Sequence, residues 1–174
     1  TKKAGLAGVK PAHGFTPVFD DFNQDGKVDL FVANDSDPNF LFVNQGDGTF
    51  REEGLERGVA FNSDGHVQSN MGVAVGDYSN HGRLALLKTT FFDDYFPLFR
   101  QDQSGFFDEI ASPSGVAAAT KPYLGWACGF MDFDNDGERD LWLANGHVYP
   151  KFPRYFQPFV VLRNQGGQFT AGFQ

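Results

Sequence analysis

An all-β fold built from propeller blades is predicted by three observations. An acidic sentence recurs three times along the chain. Gly and Phe each occur 21 times in 174 residues. Short apolar runs alternate throughout with turns rich in Gly, Asn and Asp. Glycines scattered among aromatic and β-branched residues spell short strands joined by tight turns.

The repeats organise the chain. "DFNQDGKVDLFVAN" begins at Asp21, "DYSNHGRLALLKTT" at Asp77 and "DFDNDGERDLWLAN" at Asp132. The context repeats as well. A first apolar run precedes each acidic stretch: "FTPVFD", "MGVAVGD", "GWACGFMD". The acidic stretch ends in a second run. A third follows, as "NFLFVNQ", "YFPLFRQ" and "PFVVLRNQ". A turn and a Phe then open a fourth: "GDGTF", "SGFF", "GGQF". Each unit therefore supplies four short strands, the arrangement of a propeller blade. The reading is one repeat region, residues 1–174, with units at about 12–62, 63–120 and 121–174. Gly-Val tails, "GLERGVAF" and "SPSGVAAA", close the first two units, and the opening "AGLAGVKP" repeats the same phrase without a blade before it. Closed propellers have four to eight blades. Three units are thus expected to work within a larger ring or beside a partner.

The acidic turn is a candidate cation site. Clustered carboxylates repel one another unless a positive charge sits among them. In the first loop, Asp21, Asn23, Asp25 and Asp29 stand at positions 1, 3, 5 and 9. Lys27 at position 7 would contribute its backbone carbonyl. Gly26 at position 6 permits the sharp turn. The third loop repeats the pattern with Asp132, Asp134, Asp136 and Asp140, the Glu138 carbonyl and Gly137. Hard oxygen donors in this number suit Ca²⁺, which takes six to eight. No His or Cys stands in either loop, which argues against zinc. An EF-hand is excluded by position 12, where Val32 and Leu143 replace the required Glu, and by strand-like flanks. The middle loop keeps Asp77 and Gly82 but places Ser79, His81, Arg83 and Ala85 at the remaining ligand positions. A turn without calcium is expected there.

Composition narrows the function classes. The formal charge of −8 disfavours nucleic acid, whose binders are basic. The lone Cys128 excludes an internal disulfide, and no apolar run reaches the ~20 residues of a membrane span.

"FDDFNQDGKVDLFVAN", "VAVGDYSNHGRLAL" and "GFMDFDNDGERDLWLAN" resemble FG-GAP/VCBS repeats, the blades of integrin-α-like β-propellers. The blend of "YLGWACGFMDFDNDG", "ANGHVYP" and "LRNQGGQF" is most similar to bacterial proteins of the ASPIC/UnbV type. The resemblance covers nearly the whole chain. It implies a seven- or eight-bladed propeller when complete, structural calcium loops, extracytoplasmic location (periplasm, cell surface or secreted) and binding or scaffolding rather than catalysis. The chain departs from that pattern in having three units and a middle loop without its ligands.

Two further features bear on function. Cys128, in the apolar "GWACGF", reads as a buried, inert thiol. The segment 147–159, "HVYPKFPRYFQPF", carries three prolines and cannot form regular ladder bonds. It reads as a protein-contact element with Tyr149, Phe152, Tyr155 and Phe156 as anchors. No nucleophile elbow, phosphate loop or catalytic carboxylate pair is present. The expected function is a non-catalytic, calcium-binding interaction, adhesion or scaffold module that engages a protein or further blades. The alternative is a lectin or a glycan-processing enzyme on the same scaffold.

Overall fold

The computed structural model describes residues 2–173. Thr1 and Gln174, the ends of the 1–174 repeat region, lie outside the described residues. Each repeat folds into one four-stranded antiparallel sheet whose strands lie in chain order. The first holds β1 (Gly14–Asp20), β2 (Asp29–Asn34), β3 (Phe40–Asn44) and β4 (Phe50–Glu52). The second holds β5 (Val73–Gly76), β6 (Ala85–Lys88), β7 (Leu98–Gln101) and β8 (Phe107–Glu109). The third holds β9 (Gly125–Met131), β10 (Asp140–Asn145), β11 (Val160–Gln165) and β12 (Gln168–Phe173). Strand β5 packs against both β1 and β9, so the first strands of the three sheets adjoin.

The second sheet is buried on both faces, and its sequence shows why. A strand covered on both sides reads as a continuous apolar run rather than an alternation. In "ALLK" of β6 every residue is buried. Leu86 faces the first sheet, in a core with Phe22, Phe31, Leu41 and Phe99. Leu87 faces the third, with Phe96, Leu98, Leu141 and Leu162. Truncating either leucine to Ala should cost about 2–5 kcal/mol, because neighbours close the cavity only in part.

The Gly-Val tails fasten neighbouring units. The N–H of Phe107 in β8 donates to the carbonyl of Arg57, in the tail of the first unit. Phe169 in β12 donates to Ser114 in the second tail, and Phe50 in β4 to Ala4 in the opening phrase. The contact is close enough to demand glycine. A Cβ on Gly58 or Gly115 would lie 2.5 or 2.7 Å from the carbonyl oxygen of Phe107 or Phe169. Both residues also have φ near +84°, where L side chains are strained. The opening "AGLAGVKP" thus occupies on the first blade the place that the later tails occupy on theirs.

The all-β expectation has one small exception. The second tail forms a single helical turn, α1 (Val116–Thr120). Its three alanines are the strongest helix formers, and Val116 and Thr120 bury against the core.

Candidate functional site

The three acidic loops are structural equivalents. Each joins the first and second strands of its sheet, and each hairpin closes at the same register: Asp20 with Asp29, Gly76 with Ala85, Met131 with Asp140. The turn is made by position 1 in all three. Asp21 accepts the backbone N–H groups of Asp25 at 3.0 Å and Gly26 at 2.7 Å. Asp132 accepts those of Asp136 at 3.1 Å and Gly137 at 3.0 Å. Asp77 accepts that of Gly82 at 2.6 Å, and its other oxygen takes both the N–H and the hydroxyl of Ser79 at 3.0 Å. The middle loop therefore closes by its own hydrogen bonds. Burial opposes the Asp77 anion, but the bonds from Gly82 and Ser79 prevail and hold its pKa below the ordinary value.

Spare carboxylates separate the loops. Asp132, Asp134 and Asp136 bring carboxylate oxygens within 4.8 Å of one another. Among the described residues no other cluster of three His, Cys, Asp or Glu meets that limit. All donors there are oxygens, which fits a hard cation. In the first loop Asn23 replaces the second of these carboxylates. Cations from the chain itself stand beside both clusters. The guanidinium of Arg163 in β11 lies 2.6 Å from Asp134 and 3.4 Å from Asp136. The Lys27 ammonium lies 2.8 Å from Asp25 and holds that carboxyl below its usual pKa. Arg163 was not legible as part of the site, because it arrives from a different hairpin.

Position 9 has a different task. Asp29 and Asp140 are fully buried. Each accepts two backbone N–H groups: Asp29 from Phe22 at 3.0 Å and Asn44 at 2.8 Å, Asp140 from Phe133 at 3.0 Å and Asn164 at 2.8 Å. The closing carboxylate thus ties its own loop to the end of the third strand. Desolvation raises the Asp29 pKa, partly offset by those two N–H donors. A nearby cation would relieve that strain on the anion.

The loops are also chained to one another. Position 4 has left-handed φ in all three, at 59° for Gln24, 57° for Asn80 and 58° for Asn135. The Gln24 amide donates to the carbonyl of Gly82 in the second loop at 2.9 Å. The Asn80 amide donates to the carbonyl of Gly137 in the third at 2.6 Å. A second amide returns each time. Gln101 donates to Phe22 O at 2.6 Å, and Asn164 to Tyr78 O at 3.1 Å.

The proposed contact segment is ordered by its own packing. His147 is buried; its Nδ1 accepts the N–H of Tyr149, and its ring stacks on Phe152 at 3.9 Å. Phe152 also meets Phe92 edge-on at 4.7 Å. Phe152 and Tyr155 are half-buried, whereas Tyr149 is 61% exposed and Phe156 92%. Of these four, the last two present the most surface, with Phe156 meeting Tyr155 edge-on at 5.0 Å. Cys128 is buried in the core and its thiol points at Leu87 O, 3.9 Å away. Burial pushes its pKa well up, so no thiolate nucleophile is available there.

Comparison with known proteins bears on part of this reading. Residues 21–87 match the family model described as FG-GAP-like repeat. The chain is 32% identical to human cartilage acidic protein 1 over 120 residues, covering 67% of the chain and 17% of that protein. The Xenopus tropicalis protein of that name is 28% identical over 150 residues, covering 79% and 22%. The chain spans about a fifth of the length of the curated relatives it matches.

Proposed function

Taking the FG-GAP-like repeat at residues 21–87 as premise, we propose that this chain is a calcium-stabilised segment of a larger β-propeller. It serves as a non-catalytic interaction or adhesion module outside the cytoplasm. The observation that carries the reading is the trio Asp132, Asp134 and Asp136, with its oxygens within 4.8 Å. Asp132, Asp134, Asp136, Asp140 and the Glu138 carbonyl would hold the ion in the third loop. Asp21, Asn23, Asp25, Asp29 and the Lys27 carbonyl would do so in the first. The bound ion supplies positive charge that offsets carboxylate repulsion. The residues themselves do the rest: position 1 shapes the turn, position 9 fastens it to the third strand, and position 4 links it to the next loop.

The likeness to ASPIC/UnbV-type proteins is kept as the finer form of this reading. Extracytoplasmic location is supported by the metal chemistry. Calcium modules outside the cell work at roughly 10⁻⁴–10⁻³ M, and loops whose carboxylate charge is partly offset by Arg163 and Lys27 suit that weak range. Among the described residues, no helix is long and apolar enough to cross a membrane. The partner surface is centred on the exposed Tyr149 and Phe156, since aromatic residues are common interface anchors.

Calorimetric titration with Ca²⁺ tests the metal reading. Two sites are expected, with the 132–140 loop the tighter, and Asp136→Ala should remove that site while leaving the other. Three equal sites, or no heat at all, would overturn it.

A further inference from the structure

A cleft of about 570 Å³ opens between the second and third sheets beside the middle loop. It lies where that loop carries His81 in place of the position 5 carboxylate and Arg83 at position 7. Its size is in the range of small-ligand sites.

Two guanidiniums face into this cleft together. Arg100 pairs across the ladder with Ala85 and with Asp108. The Gln101 N–H bond to Leu84 O extends that ladder beyond β6. Strand alternation then places Arg83 on the same face as Ala85 and Arg100, toward the third sheet. Neither arginine takes part in an ion pair among the described residues.

Two of the acids lining the cleft each spend one carboxylate oxygen on backbone N–H groups. Asp102 accepts the N–H groups of Ser104 and Phe106, and Glu138 that of Gly166. Asp108 carries no such bond among the described residues and remains free to accept. The chemistry on offer is thus a pair of arginine forks, of which Arg100 also hydrogen-bonds the Tyr78 hydroxyl, together with the Asp108 carboxylate and the Gln103 amide. Arginine forks bind carboxylates in a bidentate manner. Asp108 would repel a ligand dense in negative charge but would accept hydroxyl hydrogens. An acidic peptide offers carboxylates without hydroxyls; an acidic sugar offers one carboxylate per ring and several hydroxyls.

We propose that this cleft binds an acidic saccharide of the uronate class, its carboxylate on Arg83 and Arg100 and its hydroxyls on Asp108 and Gln103. The site stands apart from the calcium loops' metal chemistry and extends the interaction module to a glycan ligand.

The test is titration of the full chain, in buffered calcium, with an unsulfated uronate disaccharide, its methyl ester and a triglutamate peptide, followed by amide chemical shifts. The disaccharide should bind with shifts centred on the cleft, and the methyl ester at least tenfold more weakly. Arg83→Gln and Arg100→Gln should each weaken binding at least tenfold with an unchanged melting curve. Arg100→Lys, which keeps charge and loses the fork, should fall between. The ester comparison uses the unmutated chain, so a variant that fails to fold leaves the test intact. Absence of disaccharide binding, equal binding of acid and ester, undiminished binding by the double Gln variant, or tighter binding of the peptide would each overturn the proposal.

Discussion

The loops at 132–140 and 77–85 have the same shape and different contents. Both are closed by a position 1 aspartate on the N–H of a glycine five residues on. Both carry Asn in left-handed conformation at position 4. In the third loop Asp140 then accepts the Asn164 N–H from the neighbouring strand. In the second, Ala85 stands at that place, and the Gln101 N–H donates instead to Leu84 O as an ordinary ladder bond. The Gln101 side chain meanwhile accepts the Gln24 amide at 3.1 Å and reaches Leu84 N at 3.4 Å. The comparison teaches that the turn and the metal chemistry are separable. Backbone hydrogen bonds build the hairpin, and surplus carboxylates are an addition to it.

The strongest way to break that separation is to remove Asp140. Its loss leaves two N–H groups without acceptors, the buried one of Asn164 and the half-buried one of Phe133. Each such donor costs about 1–3 kcal/mol, so Asp140→Ala should destabilise by about 3 kcal/mol. Urea unfolding in excess chelator is the measurement. A loss seen only when calcium is present would mean that Asp140 acts through the ion alone.

Calcium itself should come next. An ion bound only by the folded chain adds about 2.7 kcal/mol at a hundredfold excess over Kd. Chelation should lower Tm by roughly 5–10 °C for a chain of this size. Asp136→Ala should abolish the third loop's share of that response, and Ser79→Ala in the middle loop should leave it intact. Equal melting curves with and without chelator would remove the structural role of the metal.

The pH profile sharpens the comparison by isolating a background from the second blade. Lys88 is fully buried at the end of β6, with its ammonium 4.9 Å from the Phe99 ring centre. Desolvation lowers its pKa to about 7, with Glu109 and Asp94 opposing. The unfolded chain keeps this proton up to about pH 10.5, so between pH 7 and 10.5 the unfolded state binds more protons. Stability therefore rises with pH across that window. Going from pH 7 to 9 should add about 2 kcal/mol, and Lys88→Met should flatten the rise. A profile unchanged by the substitution would show that Lys88 stays charged.

Much of this was legible in the sequence, and the remainder has a physical reason for being hidden. The repeat of "DFNQDGKVDL", "DYSNHGRLAL" and "DFDNDGERDL" carried the three sheets, because a turn motif and strand alternation are both local. The degeneracy of the middle loop was equally plain from Ser79, His81 and Ala85. The buried ammonium was not, since "LLKTT" gives no sign that strand β6 is covered on both faces. Nor were Arg163, the cleft arginines or the two roles of Asp140, because each depends on which hairpin lies beside which. Phe152 was counted among four equal anchors, but a stack on His147 consumes its face. Linear spacing cannot distinguish an aromatic whose face is covered by a stack from one as exposed as Phe156.

The smallest effect is the most discriminating. Asn80 and Asn135 share a left-handed φ, at 57° and 58°, within loops of one shape. Replacing either by Ala incurs the same backbone cost of a Cβ in that region. Asn80 also donates its amide to Gly137 O across the blade boundary, at 2.6 Å. Asn135 has no such bond among the described residues, though its geometry matches. Subtracting one substitution from the other cancels the local strain and leaves the latch alone. Asn80→Ala should therefore exceed Asn135→Ala by about 1 kcal/mol, the net worth of one hydrogen bond. In a longer chain carrying a further repeat after residue 174, Asn135 should gain the carbonyl of the following loop. The two substitutions should then become equal. Equality already in the 174-residue chain would mean that the loops stand independently and that the blades are joined only by their apolar faces and Gly-Val tails.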